Sequence, residues 1–377
     1  MLNGKKQVIK KPKRPLLVKM NKENNQLFPT AVVGSLPRPL YLQELLAKRD
    51  AMPPAEYRAH VEAAVPFAVK MQEFAGIDII SDGEWRRLSY IGVISDLLNG
   101  FQRTLKEGLW WHTVTEPISL KNPGLFANEA AFIKRHTSKK VKVAMPSPFT
   151  IALRMWDAVK STKAYASRQD FMKALVPFLR SEVKELEKIG VNIVQIDDPN
   201  FCLFVDEEYR KKFEDPEAEC ALAVELVNEV FAGSKIKTGV HMCRSSGTRN
   251  RRINRGNKEG FVAEGEYDFV LPFMQKLKTD CLFLEFSTLE EKSYSVLQNF
   301  KQNIGFGCVD CRPGMVLTAE QIVTKVNAAL QFIDKEKLIL NPDCGFAPGN
   351  QAQVSIDEAY TKLKNLGTAA KILREKY

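Results

Sequence analysis

Eight short apolar runs recur along this chain, and stretches with helical spacing fill most of the gaps between them. The runs are Ala31–Gly34, Ile77–Ser81, Val141–Met145, Val191–Asp197, Lys237–Cys243, Cys281–Phe286, Asn303–Asp310 and Lys337–Cys344. They are rich in Val and Ile and mostly apolar, the pattern of strands buried on both faces. Only Asp78 interrupts the second. Glu56–Ala75, Gln169–Ile189, Glu217–Phe231, Thr288–Phe300 and Ala319–Ile333 place apolar residues at helical intervals. Gly76 and Gly190 stop two of these stretches just before the next run, as helix-ending glycines do. Eight alternations imply right-handed parallel crossovers. The prediction is an α/β fold, a (β/α)8 TIM barrel of one domain over residues 28–377. An insertion at roughly 97–140, carrying Trp110, Trp111, Phe126 and Phe132, separates its second and third strands.

Composition narrows the class. Of 377 residues, 45% are apolar and 27% charged, an ordinary globular mixture. No stretch approaches the roughly 18 apolar residues of a membrane span, and the N-terminus lacks a secretory apolar core. Seven scattered cysteines do not form a disulfide framework, so a cytoplasmic location is expected. The net charge of +10 is uneven. Residues 1–25 hold eight Lys or Arg against the single acid Glu23, which reads residues 1–27 as a basic, solvated arm. The remaining body is only mildly basic, so nucleic acid is not an expected partner.

In such barrels chemistry sits where strands end. Here those ends carry Gly34-Ser35, Asp82-Gly83-Glu84, Asp197-Asp198-Pro199, His241-Met242-Cys243, Glu285, Asp310 and Cys344. Alternate side chains of a strand face one way, so His241 and Cys243 present nitrogen and sulfur together. With Glu285 and Cys344 they read as a zinc site, because imidazole, thiolate and carboxylate all suit that ion. The turn at Gly34-Ser35 offers backbone N–H groups and a hydroxyl to a carboxylate, and the rim carboxylates Glu84 and Asp197 suit an ammonium group. After the fifth run, Arg244, Arg249, Arg251, Arg252 and Arg255 crowd one polar loop, and arginine forks suit anions. Cys308-Val309-Asp310-Cys311 lacks a second Cys-x-x-Cys pair and reads as structural.

From about Phe28 onward the chain resembles the catalytic barrel of the cobalamin-independent methionine synthase family. The motifs that carry the resemblance begin with Ala31-Val32-Val33-Gly34-Ser35-Leu36-Pro37-Arg38 and Asp82-Gly83-Glu84-Trp85-Arg86. They continue with Gln195-Ile196-Asp197-Asp198-Pro199, His241-Met242-Cys243, Glu285 and Asn341-Pro342-Asp343-Cys344-Gly345-Phe346. The resemblance implies transfer of a methyl group to the thiol of homocysteine, giving methionine, with Zn2+ as cofactor. It implies His241, Cys243, Glu285 and Cys344 as metal ligands, and Ser35, Glu84 and Asp197 as contacts for the amino-acid end of the thiol. Gly34 and Arg244 join the expected substrate contacts. Methyltetrahydrofolate or a methylcorrinoid would be the donor.

The chain departs from the family after the seventh strand. Methionine synthases typically carry Asp-x-His there, the histidine serving proton transfer, whereas this chain reads Asp310-Cys311-Arg312. Asp310 and Arg312 thus stand at the expected catalytic positions, and arginine is a poor proton donor at neutral pH. That substitution, with only one barrel's length present, counts against a folate donor. Two alternatives stay open: a zinc-dependent alkyltransferase acting on coenzyme M and an epoxide, and a non-catalytic barrel that binds polyanions.

Overall fold

Seven parallel strands pair strictly in chain order in the computed structural model, which describes residues 26–106, 109–244, 263–347 and 354–377. The strands are β1 Ile79–Ile80, β4 Lys140–Pro146, β5 Ile193–Asp197, β6 Lys237–Met242, β7 Cys281–Glu285, β8 Asn303–Val309 and β9 Leu338–Pro342. Between β1 and β4 a separate antiparallel hairpin forms from β2 Leu98–Lys106 and β3 Leu109–Leu120.

The ring closes through the first apolar run. Thr30 bridges Leu340 of β9 and Ala31 bridges Ile79 of β1, both in parallel. Ala31 N donates to Leu340 O at 2.9 Å, and Val32 N to Ile79 O at 3.3 Å. Eight positions therefore surround the barrel as expected, although the first is a pair of bridges and the second only two residues long. The polar Asp78 explains the second. Its Oδ2 accepts from Thr30 N at 2.9 Å, Thr30 Oγ1 at 3.0 Å and Arg374 Nη2 at 2.6 Å. The residue that interrupts the apolar pattern is the clasp of the barrel. Asp78→Ala is expected to cost about 2 kcal/mol, by leaving the Thr30 N–H without its acceptor and removing the charged partner of Arg374 in a partly buried site. A urea midpoint unchanged from the parent would contradict that role.

The interior is packed rather than hollow, as in other barrels of this type. The Phe283 ring occupies space left by two glycines: a Cβ on Gly239 would lie 2.8 Å from the ring, and one on Gly305 would overlap it. Helices Pro54–Phe74, Arg168–Ile189, Pro216–Phe231 and Ala319–Ala329 cover the outside close to their expected positions. The longest starts at a reciprocal cap between Ser167 and Asp170 and stops at Gly190, φ 72°. Thr288–Phe300 winds more tightly than expected, as a 3-10 helix over Glu291–Asn299.

Helix Ile356–Lys376, after the last strand, supplies the eighth helix of the expected alternation. Its spacing is broken by Gly367, where a Cβ would overlap the carbonyl oxygen of Ala75. Close packing against the end of helix Pro54–Phe74 therefore outweighs helix propensity there.

The insertion consists of the hairpin followed by helix Leu125–Lys134. Ser161 Oγ donates to Val114 O at 2.5 Å, and Ile118 N donates to Tyr165 Oη at 2.8 Å, tying the hairpin to the loop after helix Pro148–Met155. This anchoring puts Trp111 over Arg154, the guanidinium carbon 5.5 Å from the ring centroid. No described helix is long and apolar enough to cross a membrane. The basic stretch 1–25 and arginines 249, 251, 252 and 255 lie outside the described residues.

Candidate functional site

The end of β6 supplies His241, with Cys243 one residue beyond the strand, and Cys344 follows β9 by two residues. One ligand atom from each lies within 4.8 Å of the other two, and all three residues are buried. His241 Nδ1 sits 3.1 Å from the carbonyl oxygen of Phe283 on β7. A carbonyl only accepts, so Nδ1 carries the proton and Nε2 keeps its lone pair. Burial, reinforced by Lys142, pushes the imidazole down to about 3, and the ring is neutral at physiological pH. Nε2 is buried and has no hydrogen-bond partner among the described residues. A neutral imidazole with an unengaged nitrogen beside two sulfurs fits a divalent ion that favours N and S ligands. None of the seven cysteines is in a disulfide.

Glu285 stands apart from that trio. Its Oε1 accepts from Thr288 N at 2.7 Å and Ser287 Oγ at 3.1 Å, and its Oε2 faces Arg244 Nη1 at 3.3 Å. Register nevertheless keeps it near: Met242 pairs with Leu284, so Cys243 and Glu285 are successive residues on neighbouring strand ends. Arg244 is turned inward, donating also to Ala263 O at 3.0 Å and Gly265 O at 2.7 Å. It does not line the pocket.

The pocket above the trio is lined by Ser35, Glu84, Tyr90, Asp197, Arg154 and Asn200, with His241, Cys243 and Cys344 at one side. Two glycines give it shape. A Cβ on Gly34 would lie 2.5 Å from Glu84 Oε1, and one on Gly345 would overlap Ser35 Oγ. Ser35 Oγ in turn accepts from Ala347 N at 3.2 Å. Glu84 sits at φ 57°, a left-handed conformation that a non-glycine residue adopts only under constraint. Arg38 supplies the constraint, its Nη2 donating to Glu84 O at 2.6 Å and Arg87 O at 2.8 Å.

Both rim carboxylates are hard to ionise. Burial pushes Glu84 up to about 7, against the opposing pull of Arg87, 3.7 Å away, and with the repulsion of Asp197 added. Asp197 is likewise raised to about 6 by burial, opposed by the hydrogen bond from Gln195. An ammonium group entering between them would compensate that cost.

Asp310 and Arg312, past the end of β8, form a closed pair outside the pocket lining. Arg312 Nε lies 3.0 Å and 2.9 Å from the two carboxylate oxygens, and Arg312 Nη2 also contacts Oδ2. Tyr90, Arg154, Asn200 and Leu203 line the pocket but were missed from sequence. They lie on connecting segments and short helices, where no periodic or motif signal marks them.

A family model described as the cobalamin-independent synthase catalytic domain matches residues 28–372. The chain belongs to the cobalamin-independent methionine synthase family. The methionine synthase of Pyrococcus horikoshii is 25% identical over 359 residues, covering 93% of this chain and 94% of that one. That of Saccharolobus solfataricus is 26% identical over 360 residues, covering 93% and 96%. The structure of a B12-independent methionine synthase from Shewanella sp. W3-18-1, in complex with selenomethionine, superposes with a TM-score of 0.76 at 27% identity. It covers 93% of this chain and 98% of that one. Membership of this family makes the chain a methyltransferase, and the non-catalytic polyanion-binding alternative falls away.

Proposed function

We propose that this member of the family transfers a methyl group to the thiol of homocysteine, forming methionine, with zinc held by His241, Cys243 and Cys344. The observation that carries the reading is the meeting, in one pocket, of that donor trio with Ser35, Glu84 and Asp197. Glu285 is the proposed fourth ligand, exchanging its 3.3 Å contact with Arg244 for the ion. Zinc bound there would lower the pKa of the acceptor thiol, which at about 8.5 is otherwise mostly protonated at neutral pH.

The protein's own groups do the rest. Glu84 and Asp197 take the ammonium group of the acceptor, and Ser35 beside Gly34 meets its carboxylate. Holding both charged groups of the amino-acid end leaves the thiol free to reach the His241, Cys243 and Cys344 side of the pocket, and the buried pocket limits water. Asp310 and Arg312 stand where the family resemblance expects the group that serves the departing donor. An amine leaving group, as in methyltetrahydrofolate, must gain a proton. Arg312, clamped by Asp310, is a fixed positive charge and gives up no proton. A methylcorrinoid leaves with its electron pair on cobalt and takes no proton, so this pair favours the corrinoid.

The sulfonate of coenzyme M would need an anion-binding loop such as the arginine-rich one, of which only Arg244 is described, and Arg244 faces Glu285. The named relatives favour homocysteine. Seven cysteines outside disulfides suit a reducing compartment such as the cytoplasm. Zinc-loaded protein given homocysteine should form methionine from methylcobalamin faster than from methyltetrahydrofolate. Absence of methionine with both donors would refute the activity, and the reverse preference would refute the donor.

A further inference from the structure

Beneath the pocket, the barrel interior holds a lysine. Lys142 on β4 is 1% exposed. Its Nζ donates to Gln195 Oε1 on β5 at 2.6 Å and lies 4.0 Å from the centroid of the Phe283 ring. Neither partner carries a charge. Burying an ammonium group costs several kcal/mol unless something compensates it, and an apolar chain of the same length would fill that layer at no such cost. Stability alone does not account for a lysine here.

Its hydrogen bond does. Burial pulls the amine down to about 7, and in its ammonium form it only donates, which matches the orientation of the Gln195 amide with Oε1 toward the lysine. Nε2 then points the other way, donating to Asp197 Oδ1 at 2.6 Å and to Val33 O at 3.1 Å. Asp197 and Val33 both line the pocket. With the lysine gone, Gln195 Oε1 would lose its donor in a buried site, and the amide that braces the carboxylate would be held from one side only.

We propose that Lys142 is a positioning residue for substrate binding: through Gln195 it fixes the Asp197 carboxylate where the acceptor's ammonium group docks. The inference deepens the proposed function and rests on its reading of Asp197 as an ammonium contact. The electrostatics agree with the geometry. Against the burial that raises Asp197, the strongest opposing influences are the Gln195 hydrogen bond and then the charge of Lys142.

Lys142→Met keeps the length of the side chain and removes the ammonium group. The homocysteine KM is expected to rise about tenfold or more, with kcat within about threefold of the parent, because the ammonium is held equally before and during transfer. Bound metal should be unchanged. 4-Mercaptobutanoate, which lacks the amino group, should compete against homocysteine with the same inhibition constant in both proteins. A merely structural role would weaken both thiols together, and that result would overturn the proposal. Asp197→Asn, assayed in parallel, separates the two layers of the argument. An unchanged homocysteine KM there would remove Asp197 from the site and the proposal with it. A raised KM in Asp197→Asn alongside an unchanged one in Lys142→Met would overturn the role of Lys142 alone. Should Lys142→Met fail to fold, Gln195→Met cuts the same connection at its middle and is expected to give the same split between the two thiols.

Discussion

Cys344→Ser is expected to lose its bound metal and at least about 100-fold of turnover, while keeping its fold. Serine is nearly isosteric, so packing around residue 344 changes little, yet its hydroxyl stays protonated where a thiol would ionise. The sulfur lies within 4.8 Å of His241 and Cys243 ligand atoms, and its loss removes one of the trio's two soft donors. Metal content by plasma emission, read beside methionine formation and circular dichroism, separates loss of the centre from loss of the fold. Cys281→Ser provides the contrast. Cys281 begins β7, at the far end of that strand from Glu285, and packs among Ala31, Ile79, Ile193 and Ile339. That variant should keep its metal. If Cys344→Ser retained both metal and activity, the residue would have no place in the centre.

The second large effect concerns Glu84, where function and stability should move in opposite directions. Burial holds the folded-state pKa of Glu84 at about 7, above its ordinary 4.5. The folded protein therefore binds this proton more tightly than the unfolded chain. The resulting stabilisation is complete below about pH 4.5 and is lost as pH rises through about 7. At pH 8 the ionised group costs up to about 3 kcal/mol relative to a neutral one. Glu84→Gln stays neutral, so in the absence of substrate its Tm should exceed the parent's at pH 8 and match it at pH 5. The same variant should raise the homocysteine KM on the order of 10- to 100-fold, through loss of a charged contact to the ammonium group. In the parent, kcat/KM should fall as pH drops below about 7, as Glu84 takes up its proton. A variant both less stable at pH 8 and unchanged in KM would assign Glu84 a purely structural role.

Much of the architecture is written in local patterns. The buried runs Val141–Met145, Val191–Asp197 and Asn303–Asp310 reappear within a few residues as β4, β5 and β8, since apolar faces on both sides leave no other stable arrangement. Ser35, Glu84, Asp197, His241, Cys243 and Cys344 converge on one pocket because strand ends of a closed barrel share a rim. Features that depend on long-range packing were hidden. Asp78 weakened the second run, and only the fold reveals the three donors gathered on it. The reason for Gly367 in the last helix, a close approach to Ala75 O, is likewise visible only in the fold. The hairpin Leu98–Lys106 and Leu109–Leu120 holds no motif that announces it, and its relation to Arg154 emerges only once Trp111 is placed. Ligand chemistry was readable as residue types, whereas the turning of Glu285 and Arg244 toward each other was not.

X-ray absorption at the zinc edge, on protein purified without chelator, tests the centre most directly. One zinc per chain is expected, with two sulfur neighbours and at least one imidazole, and with the sulfur count rising when homocysteine is added. Protein that forms methionine at full rate with no stoichiometric zinc, or a sulfur count indifferent to homocysteine, would contradict the account.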